Sequence, residues 1–464
     1  MTAPAAWPAP RALGPLDAWV RLPGSKSLTA RYLVLAALAD GPSRIDGVLR
    51  ARDSDLMEDA LAALGARISH PTPDAVVVVP AARPGHAAGQ GDVGPATGLP
   101  SVTVDVGLAG TVMRFVPPLA AVGARQVQFS GDPAAASRPI TPLLDALESL
   151  GATVDRPPPG ASLPFSVTGQ GSLAGGQVRL NSSGSSQFLS ALLLAAPRFA
   201  NGLEVTLDPP ELPSRPHANM TLRCLAAFGG RARQTSEWSW RVEPGGLTGR
   251  LLAAEPDLSN AGPFLAAALV AGGTVRVAGW PLRTDQPGDL LRGYLEAFGA
   301  KVTWAAPAAK PTGAGPAAPD GAHPDGEVGQ LSVSAPGGAI SGVRLDLSPA
   351  GELAPTLAAL ATLADSPSRL RGIGHLRGHE TDRLAALTSE INRLGGDARE
   401  LSDGLEIHPR PLRGALVRTY GDHRMATFGA LIGLAVPGVE VEDIAATAKT
   451  LPGFTSLWRE MMAA

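Results

Sequence analysis

The chain has 464 residues, a formal net charge of −3, 44% hydrophobic residues, 17% charged residues and 4% aromatics. That length exceeds one ordinary core and predicts two domains; the balance excludes a disordered chain and nucleic-acid binding through bulk charge. With one cysteine, Cys224, an internal disulfide and a thiolate metal cluster are excluded, and Cys224 is expected to be a small apolar filler on a helix.

In chain order, the N-terminal stretch MTAPAAWPAPRALGPLDAW has no basic region followed by an apolar one, so no signal peptide is expected. No apolar run approaches the roughly 18 residues that span a bilayer, and a cytoplasmic protein is expected. Next, PGSKSLTAR (23–31) sets Lys26 between two serines, ahead of the apolar helix YLVLAALA (32–39). Either Ser25 or Ser27 suits the cap. A lysine at the positive end of a helix dipole costs electrostatic energy unless an anion arrives.

A pattern then repeats. Five more apolar helices are expected at 112–123, 188–196, 264–273, 353–364 and 425–436. A closing signature recurs as LGARI (64–68), LGATV (150–154), FGGRA (228–232), FGAKV (298–302) and LGGDA (394–398), where a helix ends at glycine and turns into a strand. The spacing is too long for a solenoid. It predicts six α+β units, three per domain, with mixed sheets that include TVRVAGW (274–280) and SRLRGIG (368–374). Two Pro-, Gly- and Ala-rich stretches, 81–100 and 305–328, read as surface insertions.

The helix starts share a chemical bias. They carry Ser25-Lys26-Ser27 with Arg31; Gly110-Thr111 with Arg114; Ser185-Ser186-Gln187; Asp257, Ser259 and Asn260; Glu352; and Asp422-His423-Arg424. Hydroxyl, amide and cationic groups at helix N-termini suit phosphate and carboxylate oxygens. Single motifs are weak: HETDRL (379–384) is not a zinc H-E-x-x-H, since residue 383 is Arg, and GSKS is not a Walker A loop. A bias at six starts is stronger than any one of them.

PGSKSLTAR, GLAGTVMR (107–114), SRPI (137–140), SSQFLSALLL (185–194), GHETDRL (378–384), DHRMA (422–426) and AKTLP (448–452) together resemble the family of 5-enolpyruvylshikimate-3-phosphate synthases, from about residue 19 to the C-terminus. The resemblance implies an α/β (α+β) fold of two inside-out α/β barrels, each of three βαβαββ units. It implies one domain from 24–253, a second from 1–23 with 254–464, and an active site in the cleft between them. It implies addition of the 5-hydroxyl of shikimate 3-phosphate to phosphoenolpyruvate, then loss of phosphate, with no metal or organic cofactor. A monomer without nucleic-acid or membrane partners is expected, and glyphosate is expected to compete with phosphoenolpyruvate.

Carried over residue by residue, shikimate 3-phosphate would meet Lys26, Ser27, Arg31, Ser185, Ser186, Ser214, Glu352 and His379. Phosphoenolpyruvate would meet Lys26, Gly110, Arg114, Arg138, Gln187, Arg383, Arg424 and Lys449. Glu352 would accept the hydroxyl proton, Glu380 or Lys26 would protonate C3, and His423 would support phosphate departure. The two substrates carry about −5 to −6 in total, matched in size by the basic set. Four positions depart from the family's commoner residues: Leu108 for Asn, His217 for Tyr, Glu352 for Asp and His379 for Lys. His379 should make substrate binding more sensitive to pH. The related UDP-N-acetylglucosamine enolpyruvyl transferases usually have a cysteine before their "RP" motif; here FSGDPAAASRPI (129–140) has none. A non-catalytic binder would lack the acid and base groups, and an RNA-modifying relative would be basic.

Overall fold

A computed structural model describes residues 6–81, 100–306, 327–335 and 339–463. The two expected insertions fall, over 82–99 and 307–326, outside the described residues.

Among the described residues the strands form six sheets, five of them four-stranded. The second repeat shows the plan. Val102–Asp105 runs parallel to Gln126–Ser130, which pairs antiparallel with Phe165–Thr168, which pairs antiparallel with Thr153–Asp155. Parallel neighbours need a long crossover, and the helix Gly110–Val122 supplies it. A second helix, Thr141–Ser149, precedes the closing hairpin, which gives βαβαββ. The same order recurs over 176–242 and 344–408.

In two repeats the first strand comes from a distant part of the chain. Leu16–Val20 pairs parallel with Gly273–Pro281, and Leu251–Ala253 pairs parallel with Ser43–Asp46. The chain therefore starts one unit, leaves it after Pro23, completes the other over Gly24–Ala254, and returns. The described residues form two compact units, Gly24–Ala254 and 6–23 with 255–463. Each has its own hydrophobic core. The sixth repeat is abridged: Leu416–Val417 and Glu440–Val441 flank the helix His423–Gly433, and Trp7–Pro8 adds the antiparallel strand.

The six opening helices are Lys26–Leu38, Gly110–Val122, Ser186–Ala195, Ala261–Ala271, Ala354–Thr362 and His423–Gly433. Every residue of Ala354–Thr362 is buried, which is why these helices read as unbroken apolar runs. Four of them, together with Lys26–Leu38, begin two to six residues before the apolar run does. The first four N–H groups of a helix have no intrahelical acceptor, so polar side chains are welcome in the first turn and escape a hydrophobic count. Ala354–Thr362 instead begins one residue after its run, behind a short 3₁₀ turn, Gly351–Leu353. The five closing signatures share one geometry. Gly65, Gly151, Gly229, Gly299 and Gly395 all have φ between 86° and 105°. The next residue's N–H returns to the helix: Ala66 to Leu61 O at 3.0 Å, Ala152 to Leu147 O at 2.9 Å, Gly230 to Leu225 O at 2.8 Å, Ala300 to Leu295 O at 3.0 Å and Gly396 to Ile391 O at 2.9 Å. This is the Schellman closure, and the left-handed φ it needs favours glycine. Cys224 is buried on the helix Pro216–Ala227.

Phe264 is fully buried, with ring centroids 5.6 Å from Phe454 and 5.4 Å from Trp458. Phe264→Ala should cost about 3–5 kcal/mol through lost contact and a residual cavity. Urea unfolding should show this as a lower midpoint.

Candidate active site

In the unit Gly24–Ala254, Ser25 rather than Ser27 caps the first helix, accepting from Leu28 N at 3.4 Å. That leaves Ser27 in the first turn and makes Lys26 the first helical residue. Lys26 Nζ lies 3.4 Å from the buried Asp53 carboxylate. Arg31, one turn on, is 2% exposed. Its Nε donates to Thr221 Oγ1 at 2.9 Å, Nη1 to Ser27 O at 2.9 Å, and Nη2 to Ser190 Oγ at 3.1 Å and His217 O at 3.3 Å. Burial pushes its pKa down to about 10.

Gly110 begins the second opening helix. A Cβ there would lie 2.8 Å from both Arg114 Nη1 and Arg138 Nη2, so these two guanidinium groups close over the glycine. Arg114 Nη1 donates to Gln187 Oε1 at 2.8 Å and Nη2 to Pro139 O at 3.0 Å; Arg138 Nη1 donates to Leu108 O at 2.9 Å. Gln187 is in turn held by the cap of its own helix, where Ser185 Oγ accepts its N–H at 3.2 Å. The structure thus brings Gly110, Arg114, Arg138 and Gln187 together, with Ser186 buried beside Gln187. Ser214 sits in the turn before the helix Pro216–Ala227, at φ 54°, with its carbonyl accepting from His217 N at 3.0 Å. A cavity of about 760 Å³ in this unit is lined by Leu38, Val122 and Pro197, where three opening helices end.

The other unit holds Glu352, His379, Glu380, Arg383, His423, Arg424 and Lys449. Arg383, 2% exposed, grips the fully buried Asp422 twice, Nε to Oδ2 at 2.7 Å and Nη2 to Oδ1 at 3.2 Å. Glu380 receives Arg383 Nη2 at 2.9 Å and Lys449 Nζ at 2.8 Å. Burial opposes charge on Arg383, but Asp422 and Glu380 outweigh it and its pKa is raised. Arg424 is lowered, by burial and then by repulsion from Arg383. His379 Nδ1 is 3.4 Å from Arg383 Nη1. Ser259 Oγ donates to Glu352 Oε1 at 3.2 Å. His423 is buried at the start of its helix, with Nδ1 3.6 Å from Asp422 Oδ1.

Sequence reasoning missed Asp53, Ser190, Thr221, Asp422's clamp and His375. Asp422 carried a signal, since an Asp directly before a helix is a cap; it accepts from Arg424 N at 2.8 Å. His375 had none. Its Nε2 would be 2.7 Å from a Cβ on Gly351, and its ring centroid is 5.8 Å from that of His379. Burial lowers its pKa below the usual 6.5; Glu352 opposes this and Arg383 adds to it.

Repeated α/β units with guanidinium groups buried near the starts of their opening helices define a protein that handles small anions. Comparison with known proteins agrees. The family model for EPSP synthase (3-phosphoshikimate 1-carboxyvinyltransferase) matches residues 10–458. A curated 3-phosphoshikimate 1-carboxyvinyltransferase of Kocuria rhizophila is 52% identical over 463 residues, with 98% of this chain and 96% of that one covered. The chain belongs to the EPSP synthase family. In fold it matches EPSP synthase of Acinetobacter baumannii with a TM-score of 0.77 at 22% identity, over 98% of this chain and 97% of that one. It also matches the enolpyruvyl transferase NikO from Streptomyces tendae, with a TM-score of 0.70 at 16% identity, over 97% and 96%. Among the described residues no helix is long and apolar enough to cross a membrane.

Asp422→Ala takes from a buried guanidinium its two-pronged carboxylate, leaving only Glu380, and removes a cap, so it should destabilise the unit by about 3–5 kcal/mol in denaturant unfolding. His375 gives a pH signature. Its folded pKa lies below the unfolded 6.5, so the unfolded state takes the proton more readily. The contribution is full above pH 6.5 and is lost as pH falls below it. Melting temperatures recorded against pH should drop less steeply on the acid side in His375→Gln than in the wild type.

Proposed function

We propose that this chain transfers the enolpyruvyl group of phosphoenolpyruvate to the 5-hydroxyl of shikimate 3-phosphate and releases phosphate, a step of the shikimate pathway to chorismate and the aromatic amino acids. The observation that carries this reading is its 52% identity, over 98% of the chain, to a protein of that name. Supporting it is the chemistry at the first helix start, where Arg31 is 2% exposed and, among the described residues, hydrogen-bonds only neutral groups. Buried cations of this kind are costly unless anions meet them.

The reaction is an addition followed by an elimination. The 5-hydroxyl oxygen bonds to C2 of phosphoenolpyruvate, and its proton passes to Glu352. C3 takes a proton from Glu380 or Lys26, which completes a tetrahedral intermediate. A C3 proton then returns to the group that donated, Glu380 or Lys26, the C2–C3 double bond re-forms, the bond from C2 to the phosphate oxygen breaks, and phosphate departs with help from His423. General acid–base help of this kind is worth roughly 10²–10⁴-fold, while holding two reactants in attack geometry supplies about 7–11 kcal/mol. Positioning therefore dominates. In this reading Lys26, Ser27, Arg31, Ser185, Ser186, Ser214, Glu352 and His379 hold shikimate 3-phosphate. Lys26, Gly110, Arg114, Arg138, Gln187, Arg383, Arg424 and Lys449 hold phosphoenolpyruvate. The work draws on both units, in a monomer of the cytoplasm.

Phosphate release from phosphoenolpyruvate should need shikimate 3-phosphate, should not occur with UDP-N-acetylglucosamine, and should fall at least 100-fold in Lys26→Ala. Release with the nucleotide sugar alone would overturn the reading. Gly110→Ala drives a methyl group against Arg114 and Arg138. It should raise KM for phosphoenolpyruvate and weaken glyphosate, which in the wild type should compete with that substrate. Initial rates at varied phosphoenolpyruvate and glyphosate check both.

A further inference from the structure

Arg31 is a buried cation whose hydrogen-bond partners, among the described residues, are all uncharged hydroxyls and carbonyls. Thr221 Oγ1, Ser190 Oγ and the carbonyls of Ser27 and His217 take four of its five N–H groups. The face of Phe115 lies 5.3 Å from the guanidinium carbon. A buried guanidinium is ordinarily matched by a carboxylate, as Asp422 matches Arg383 at 2.7 Å in the other unit. Here two hydroxyls stand where that carboxylate would. Both are fully buried, they lie 3.0 Å apart, and Thr221 also donates to His217 O at 2.9 Å. They arrive from two different helices, Ser186–Ala195 and Pro216–Ala227. The guanidinium plane is thus fixed by hydrogen bonds to neutral acceptors, none of them a carboxylate. The fifth N–H is on Nη1, the nitrogen already bonded to Ser27 O in the first helical turn.

We propose that Thr221 and Ser190 are positioning residues that hold Arg31 oriented and un-neutralised, so that its full charge goes to an acidic group of shikimate 3-phosphate. This rests on the function proposed above. Neither hydroxyl touches substrate. A carboxylate in their place would hold the arginine equally well and spend the charge before the ligand arrived.

The test uses the full-length protein and shikimate 3-phosphate, with Kd measured by calorimetry at several salt concentrations and melting temperature as the folding control. Thr221→Val should weaken binding about tenfold, the usual size for a hydrogen bond to a charged group. KM for phosphoenolpyruvate should stay within about twofold, and Thr221→Ser should restore binding. Thr221→Asp should weaken binding further and flatten the salt dependence, because the charge that salt screens is already neutralised; a purely structural defect would leave that slope intact. Should Thr221→Asp fail to fold, Ser190→Asp gives the same reading from the other helix. Binding within twofold of wild type in Thr221→Val, or an unchanged salt slope in a folded Asp variant, overturns the proposal. Wild-type protein that neither binds nor turns over shikimate 3-phosphate would overturn the proposed function instead.

Discussion

Positive charge taken out of water is the constraint around which both units are arranged. A lone buried ion costs several kcal/mol even after relaxation, so each guanidinium must be provided for. The two units provide in different ways. In one, Asp422 and Glu380 surround Arg383 and Lys449 with carboxylates at 2.7 to 2.9 Å. There the charge is largely balanced, and Glu380 is held between two cations. In the other, Arg31 and Arg114 are held by hydroxyls, an amide and carbonyls. Dipoles orient a cation without the neutralisation a carboxylate brings, so Arg31 keeps its attraction for an anion.

The frame that makes such burial affordable is the βαβ crossover repeated along the chain. In the four repeats whose first strand is local, the opening helix follows that strand and connects it to a parallel neighbour. Its N-terminus therefore stands just beyond the carboxyl end of that strand, the usual ligand end of α/β sheets. Full burial of the helix body, as in Ala354–Thr362, fixes that end rigidly. Gly110 shows how tight the fit is, since two arginines fill the space where any side chain would go.

Much of the fold was legible in the chain, for local reasons. The five Leu-Gly or Phe-Gly closures demanded a left-handed residue, and all five glycines have one. The apolar runs marked the opening helices, although most of their starts were set too late because first-turn residues are polar. The borrowed strands were not legible. Nothing in Leu16–Val20 names Gly273–Pro281 as its partner. Leu251–Ala253 likewise gives no hint of Ser43–Asp46.

The site divides along the same line. Motifs identified the cations, the caps and the family, because residue type and spacing are local properties that survive in one dimension. They were silent on which group balances which charge. Thr221 is 190 residues from Arg31, and Asp422 is 39 from Arg383. Each reads in sequence as an ordinary helix residue or cap. Whether an arginine keeps its charge for a ligand or shares it with a carboxylate depends on contacts a few ångströms long between distant segments. Only the folded chain brings those segments together.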